Sequence, residues 1–160
     1  MKLSTQEEYG LRCLLQLGRQ GEDASLTIAE LSQREGISAP NVAKLMRVLR
    51  RSGFVTSTRG QSGGYTLARP ADAISVGEVL GSLGSRFFDA DFCERHSGLG
   101  AHCMNDSDCS IRPVLRQLQD VVDQVLGQLT LKSLLRTERE MVAVWTSPRA
   151  VPLPLAARTN

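Results

Sequence analysis

Residues Thr27 to Arg51 read TIAELSQREGISAPNVAKLMRVLRR, and the way this stretch divides decides the fold of the chain. Thr27 and Glu30 have the spacing of a capping box, in which each side chain satisfies the other residue's free amide, so a short helix starts at Thr27. Gly36 is placed to end that helix, because glycine takes the left-handed conformation of a helix stop without steric cost. Ile37 enters the turn and Ser38 is placed to cap a second helix. In that helix Val42, Leu45, Met46 and Leu49 recur at helical spacing and form one apolar stripe. The opposite face presents Asn41, Lys44, Arg47 and Arg51. A short helix, a glycine-containing turn and a second helix with a basic outer face make a helix-turn-helix, whose second helix enters the major groove of DNA.

The flanking sequence extends this motif in both directions. After it, Phe54, Val55 and Thr56 read as a short strand, Arg59 to Gly64 (RGQSGG) as a glycine-rich tip, and Tyr65, Thr66 and Leu67 as the returning strand, giving a two-stranded wing. Before it, Leu11, Leu14, Leu15 and Leu17 alternate with charged and polar residues from Leu3 to about Gly18, predicting an amphipathic helix opened by Ser4 or Thr5. Beyond Pro70, Ser75 and Glu78 repeat the capping-box spacing and predict another short helix through Val79 and Leu80. The expected fold class is mainly α with a small two-stranded wing, residues 1–83 forming a winged helix-turn-helix DNA-binding domain.

Charge points the same way. The chain has 160 residues, 41% of them hydrophobic, and a formal net charge of only +2. That total conceals a run from Gly36 to Ala71 without any Asp or Glu, which carries Lys44, Arg47, Arg50, Arg51, Arg59 and Arg69. A locally positive surface over a helix-turn-helix and its wing identifies double-stranded DNA as the expected partner. Ser38, Asn41 and Lys44 lie at the start of the groove-facing helix, where side chains reach base edges. Arg47, Arg50 and Arg51 come later and suit phosphates. Arg59 stands at the wing tip, where a guanidinium fits a narrow minor groove, with Gly60 beside it and Tyr65 on the returning strand. No nucleophile, base and orienting group recur at a recognisable spacing, so an enzyme is not expected.

No apolar run reaches the ~20 residues that span a bilayer, and the N-terminus lacks the apolar core of a signal peptide. A cytoplasmic protein without a membrane partner is expected. Thiols stay reduced in that compartment, so its cysteines read as metal-binding or redox-sensing rather than as a disulfide framework. Cys93, Cys103 and Cys109 fall in a stretch, residues 84–109, that has no sustained periodicity and reads as a loop. Three soft thiolates on a loop suit an iron–sulfur cluster, zinc or copper(I). Neither paired zinc-finger cysteines nor a ferredoxin run is present. Cys109 directly precedes a helix, whose N-terminus stabilises a thiolate. Three ligands leave a four-ligand site one short. His96, His102, Asp106, Asp108, Glu7 and Glu8 are the candidates for the fourth, although a loop histidine is ordinarily just solvated. Cys13, beside Leu14 on the first helix, reads as a small buried hydrophobe.

From Ser110 helical periodicity returns through Ile111, Val114, Leu115, Leu118, Val121, Val122, Val125, Leu126 and Leu129. So wide an apolar stripe needs a partner surface that a small wing domain does not offer, which predicts a dimerisation helix. Residues 110–141 are expected to hold this helix and one further short helix, and residues 142–160 a patternless, disordered tail.

The chain resembles the winged-helix bacterial repressors of the iron–sulfur cluster regulator and nitric-oxide-sensing repressor type (IscR-like, NsrR-like). The resemblance covers about residues 1–140 and rests on MKLSTQEEYGLRCLL (1–15), IAELSQREGIS (28–38), KLMRVLRRSGFVTSTRG (44–60), SGGYTL (62–67), ISVGEVL (74–80) and the three loop cysteines. It implies a homodimer crossed by the long helix, an imperfect palindrome as target, and a cluster on each subunit, with [2Fe-2S] favoured over [4Fe-4S]. It maps the cluster ligands onto Cys93, Cys103 and Cys109. Some members add a carboxylate from the first helix of the other subunit, where this chain has Glu8. The chain departs from such proteins in three respects. The first cysteine gap, nine residues, is long; Ile111 and Arg112 stand where other members carry a ligand histidine; and Pro40 and Ala43 replace polar groups that other members present to bases. The expectation is a dimeric repressor whose operator affinity follows the redox, nitrosylation or occupancy state of the cluster. Its rivals are a regulator with a structural zinc or thiol-switch site, and a regulator that docks on another protein.

Overall fold

The computed structural model describes residues 3–21, 24–58, 63–84, 86–100 and 102–146. Helix α1 (Thr5–Gln20) opens with a capping box between Ser4 and Glu7, and α2 (Ile28–Glu35) with the expected box between Thr27 and Glu30. Gly36 ends α2 at φ 65°, ψ 28°, a left-handed conformation that a residue with a Cβ enters only at a cost. Helix α3 (Ala39–Arg51) then buries Val42, Leu45, Met46 and Leu49, the stripe expected of it. These residues, with Cys13, Leu14 and Leu17 of α1, Leu31 of α2, and Phe54, Val55 and Ile74, form the core.

The wing consists of β1 (Val55–Ser57) and β2 (Tyr65–Leu67), antiparallel, with Thr56 opposite Thr66. Strand β1 starts one residue later than expected because Phe54 is spent on the turn, its N–H bonding Leu49 O at 3.0 Å and its ring buried in the core. Tyr65 exchanges two backbone hydrogen bonds with Leu26 (2.8 and 3.0 Å), which fastens the wing to the segment entering α2. Gly64 makes this possible: a Cβ there would lie 2.9 Å from the Leu26 carbonyl carbon and oxygen. The expected tip residues Arg59 and Gly60 lie outside the described residues.

Two expected caps do not form. Ser38 occupies the N-cap of α3 but its side chain accepts no bond. Pro40, the second residue of the helix, has no N–H to offer it. Ser75 likewise caps nothing at the start of α4 (Val76–Leu83), and the reciprocal half of the box is lost because Glu78 is drawn away to Arg69 at 2.6 Å. Helix α4 is held instead by a backbone bond from Val76 N–H to Leu129 O (2.9 Å), next to one from Leu131 N–H to Ile74 O (2.8 Å).

The cysteine-bearing stretch is not wholly loop, for it contains the single turn α5 (Phe92–Arg95), and Cys93 lies on it. Helix α6 (Ile111–Gly127) follows, then α7 (Leu131–Leu134) and α8 (Glu138–Thr146) in place of one short helix. The break falls where Thr137 and Glu140 pair in a new helix start (2.8–3.4 Å), so α8 runs on through 142–146, which were expected to be structureless. Residues 147–160 of the expected tail lie outside the described residues.

Candidate nucleic-acid interface and cysteine-lined cavity

Burial sorts the residues of α3 by face. With the apolar stripe inside, Asn41, Lys44, Arg47, Arg50 and Arg51 are all exposed, as is Ser38 ahead of them. Arg50 donates to Ser57 Oγ at 3.3 Å, which sets its guanidinium beside the wing strand. Asn41, Lys44, Arg47 and Arg51 hold no hydrogen bond or ion pair with the described residues, leaving donors and charge free for a polyanion. Tyr65 differs: it is half-buried against the core, so its visible work is to hold the base of the wing.

The reverse side of the module shows how firmly this face is mounted. Arg12 of α1 donates to the Glu35 carboxylate (2.6 Å) and carbonyl (2.7 Å), and Gln16 bonds the same carboxylate. The hydrogen bond and charge of Glu35 and those of Glu8 raise the Arg12 pKa, outweighing desolvation. Cys13 is buried as expected, and desolvation pushes its thiol up to about 12, so it is inert at neutral pH.

A second site lies between the cysteine segment and α6. A cavity of about 630 Å³ is lined by Cys93 and Cys103, with His102 and Asp106 from the segment and Arg112, Arg116 and Gln119 from α6. Arg112, Arg116 and Gln119 fall at helical spacing on one face of α6, opposite the apolar stripe. Gln119 is the buried polar residue of this wall. It accepts from Phe88 N–H at 3.0 Å and donates to Asp123 at 2.8 Å, and Asp123 is ion-paired to Arg86. The start of the cysteine segment is thereby pinned to α6.

Of the expected ligands, Cys93 and Cys103 share the cavity wall, while Cys109 stands just ahead of α6 and is not part of that wall. All three are free thiols, partly buried. Glu8 is on α1, paired with Arg12 at 3.4 Å, and does not line this cavity. His96 donates its Nδ1–H to the Phe92 carbonyl at 2.8 Å and stacks on the Phe92 ring, so it is committed to closing α5. His102 and Asp106 do line the cavity. Among the described residues no three His, Cys, Asp or Glu side chains are gathered around one point as a single metal ion demands. Cys93 and Cys103 on the wall, with Cys109 just ahead of α6, offer soft sulfur ligands of the kind a multi-atom iron–sulfur centre takes, and Arg86, Arg112 and Arg116 share that wall with Asp89, Glu94, Asp106 and Asp120. The arginines are what sequence reading missed. Their signal was present as the polar stripe of α6, at Arg112, Arg116 and Gln119, hidden beside the more conspicuous apolar one.

Comparison with known proteins gives a consistent result. The profile of one family, Rrf2, described as iron-dependent transcriptional regulators, matches residues 3–137. The Rrf2 protein of Nitratidesulfovibrio vulgaris is 35% identical over 136 residues, 85% of this chain and 88% of its own length. The transcriptional regulator IscR of Citrobacter koseri is 30% identical over 160 residues, spanning all of this chain and 94% of its own. Among solved structures, CymR, the global cysteine regulator of B. subtilis, superposes with a TM-score of 0.68 at 26% identity, covering 84% of this chain and 96% of that one. IscR of T. potens does so with a TM-score of 0.67 at 26% identity, covering 92% and 93%.

Proposed function

Because the chain belongs to the Rrf2 family and is a transcriptional regulator of the IscR type, we propose that it is a homodimeric repressor of an imperfect palindrome, with operator affinity set by an iron–sulfur cluster on Cys93, Cys103 and Cys109. The observation that carries the DNA-binding part is the two-faced α3. Its apolar stripe is wholly buried, and its outer face offers Asn41, Lys44, Arg47, Arg50 and Arg51 to solvent. Ser38, Asn41 and Lys44 take base edges, Arg47, Arg50 and Arg51 take phosphates, Tyr65 anchors the wing, and Arg59 and Gly60 are assigned to DNA from the sequence alone.

The dimer reading is supported by α6, where Ile111, Val114 and Leu118 are 63%, 57% and 49% exposed on one stripe. A second copy covers such a face, and the two-fold symmetry of the pair matches a palindrome. Glu8 of the partner subunit completes the ligand set, as the resemblance implies. When bound, the cluster supplies a redox- and nitric-oxide-sensitive centre that the side chains alone lack. Helix α6 begins next to Cys109, and the segment after it is bonded to α4 through Leu129 and to Ile74 through Leu131. A shift at the start of α6 therefore reaches the mounting of α3.

Three measurements test this. Anaerobically purified protein is expected to hold iron and acid-labile sulfide and to absorb in the visible; a colourless protein with stoichiometric zinc overturns the cluster. Duplexes selected from a random pool are expected to be palindromic and to lose affinity for Arg47→Ala; unchanged affinity overturns the assignment of α3. An unaltered spectrum in Glu8→Ala removes Glu8 as a ligand.

A further inference from the structure

One guanidinium is tied to the turn between Cys103 and Cys109 and lies on the cavity wall that holds Cys93. Arg112 is in the first turn of α6, three residues after Cys109. Its Nη2 donates both to the Asp106 carbonyl (2.9 Å) and to the Asp106 carboxylate (2.7 Å). Asp106 N–H in turn bonds the Cys103 carbonyl at 3.1 Å, closing the turn that presents Cys103. Arg112 shares the cavity wall with Cys93, Cys103 and Asp106.

We propose that Arg112 is a positioning residue for the thiolate centre: its guanidinium holds the Cys103–Cys109 segment against α6 while its charge lies on the cavity wall that Cys93 shares. This rests on the cluster reading above. The two parts of the role are chemically separable. The tie to Asp106 is made by the far nitrogen of the guanidinium, a reach that the shorter lysine side chain with its compact ammonium does not reproduce, whereas the charge needs only a cation. A fixed positive charge near thiolate ligands favours the more negative, reduced form of the centre, and an outer partner that orients a ligand slows the loss of metal.

The test compares wild type, Arg112→Gln and Arg112→Lys, each purified anaerobically as the full chain and checked for iron, sulfide and folded helix content. The expected result for Arg112→Gln is a midpoint potential shifted negative and loss of iron to a chelator about tenfold faster, the lower end of what removing an outer partner of a metal ligand costs. Arg112→Lys is expected to keep a potential near wild type while still losing iron faster. In cluster-free protein, amide hydrogen exchange across 103–109 is expected to rise in both variants, a readout that needs no cluster. A wild type with a cluster, and variants unchanged in potential, iron loss and exchange, overturns the proposal alone. A wild type with no cluster overturns the cluster reading and, with it, the role at the centre. If Arg112→Gln does not fold, Arg112→Lys and the Asp106→Asn variant, which weakens the tie from its other end, carry the same comparison.

Discussion

The winged module and the cysteine segment are built by opposite means. In the module, apolar side chains from α1, α2, α3, the wing and α4 close on one another, and Cys13, Leu31, Val42, Met46 and Leu49 have no solvent exposure. Between 86 and 110 none of the described residues is buried, and Leu99 and Met104 are fully open to solvent. What shapes that segment is polar: Arg95 on Asp89, Arg112 on Asp106, Gln119 on Phe88, and the Arg86–Asp123 pair. Apolar burial makes a rigid body with stability of its own, while exposed polar ties are individually weak and screened by salt. Under the proposed function, this division keeps the reading head constant and leaves conformational freedom to the cysteine segment.

The strongest way to break this contrast is to excavate the module. Leu49→Ala removes a fully buried side chain at the end of α3. It is expected to cost about 2–5 kcal/mol in denaturant unfolding, from lost transfer energy and the cavity left behind. Cys103→Ser in metal-free protein is expected to stay within about 0.5 kcal/mol of wild type, as surface substitutions do. A larger loss in Cys103→Ser than in Leu49→Ala would reverse the assignment of stability to the module. Next in size is Gly64→Val, which forces the wing off Leu26. Overpacking at so close an approach is expected to cost about 1–3 kcal/mol, together with DNA affinity, read by fluorescence anisotropy.

Helix starts sharpen the contrast within the module. Thr27→Ala breaks a formed capping box and is expected to cost about 1 kcal/mol. Ser75→Ala, at a start that looks the same in sequence, is expected to fall within about 0.5 kcal/mol of wild type because its hydroxyl caps nothing. The two stretches show what was legible beforehand. The spacing of Thr27 and Glu30 was sufficient because nothing nearby competes for Glu30. At Ser75 the same spacing failed because Arg69, nine residues upstream, captures Glu78, and no local pattern reports a competitor brought in by the fold.

The same division explains the rest of what the sequence did and did not disclose. Helices α1 to α3 and the wing were readable because apolar periodicity both marks an element and buries it; α6 was readable from the same periodicity although Ile111, Val114 and Leu118 stay exposed. The candidate DNA face followed, since it is whatever the buried stripe of α3 leaves outside. In the segment there is no apolar period to read. The short α5 depends on Asp89 and His96 closing around Phe92, and the gathering of Arg112, Asp106 and Cys93 is a tertiary event across several turns of chain. The cysteines were conspicuous as a residue type, but the arginines beside them were visible only as the polar side of an amphipathic helix.

The smallest effect isolates the polar ties themselves. The hydrogen bonds from Arg95, with its charge and two backbone donors, hold the Asp89 carboxyl below its ordinary pKa, outweighing desolvation. A carboxylate depressed in this way contributes stability above its unfolded pKa and loses it as pH falls through the folded value. Arg95→Ala is expected to raise the Asp89 pKa toward the ordinary aspartate range in a carboxyl NMR titration, the two backbone donors keeping it below, and high salt is expected to move the wild type in the same direction. Global unfolding at neutral pH is expected not to change, because the pair is exposed and the core does not touch it. Salt should therefore raise hydrogen exchange in 86–110 while leaving α3 as protected as before. Equal sensitivity in both regions would mean that the segment is packed into the module and not merely tethered to it.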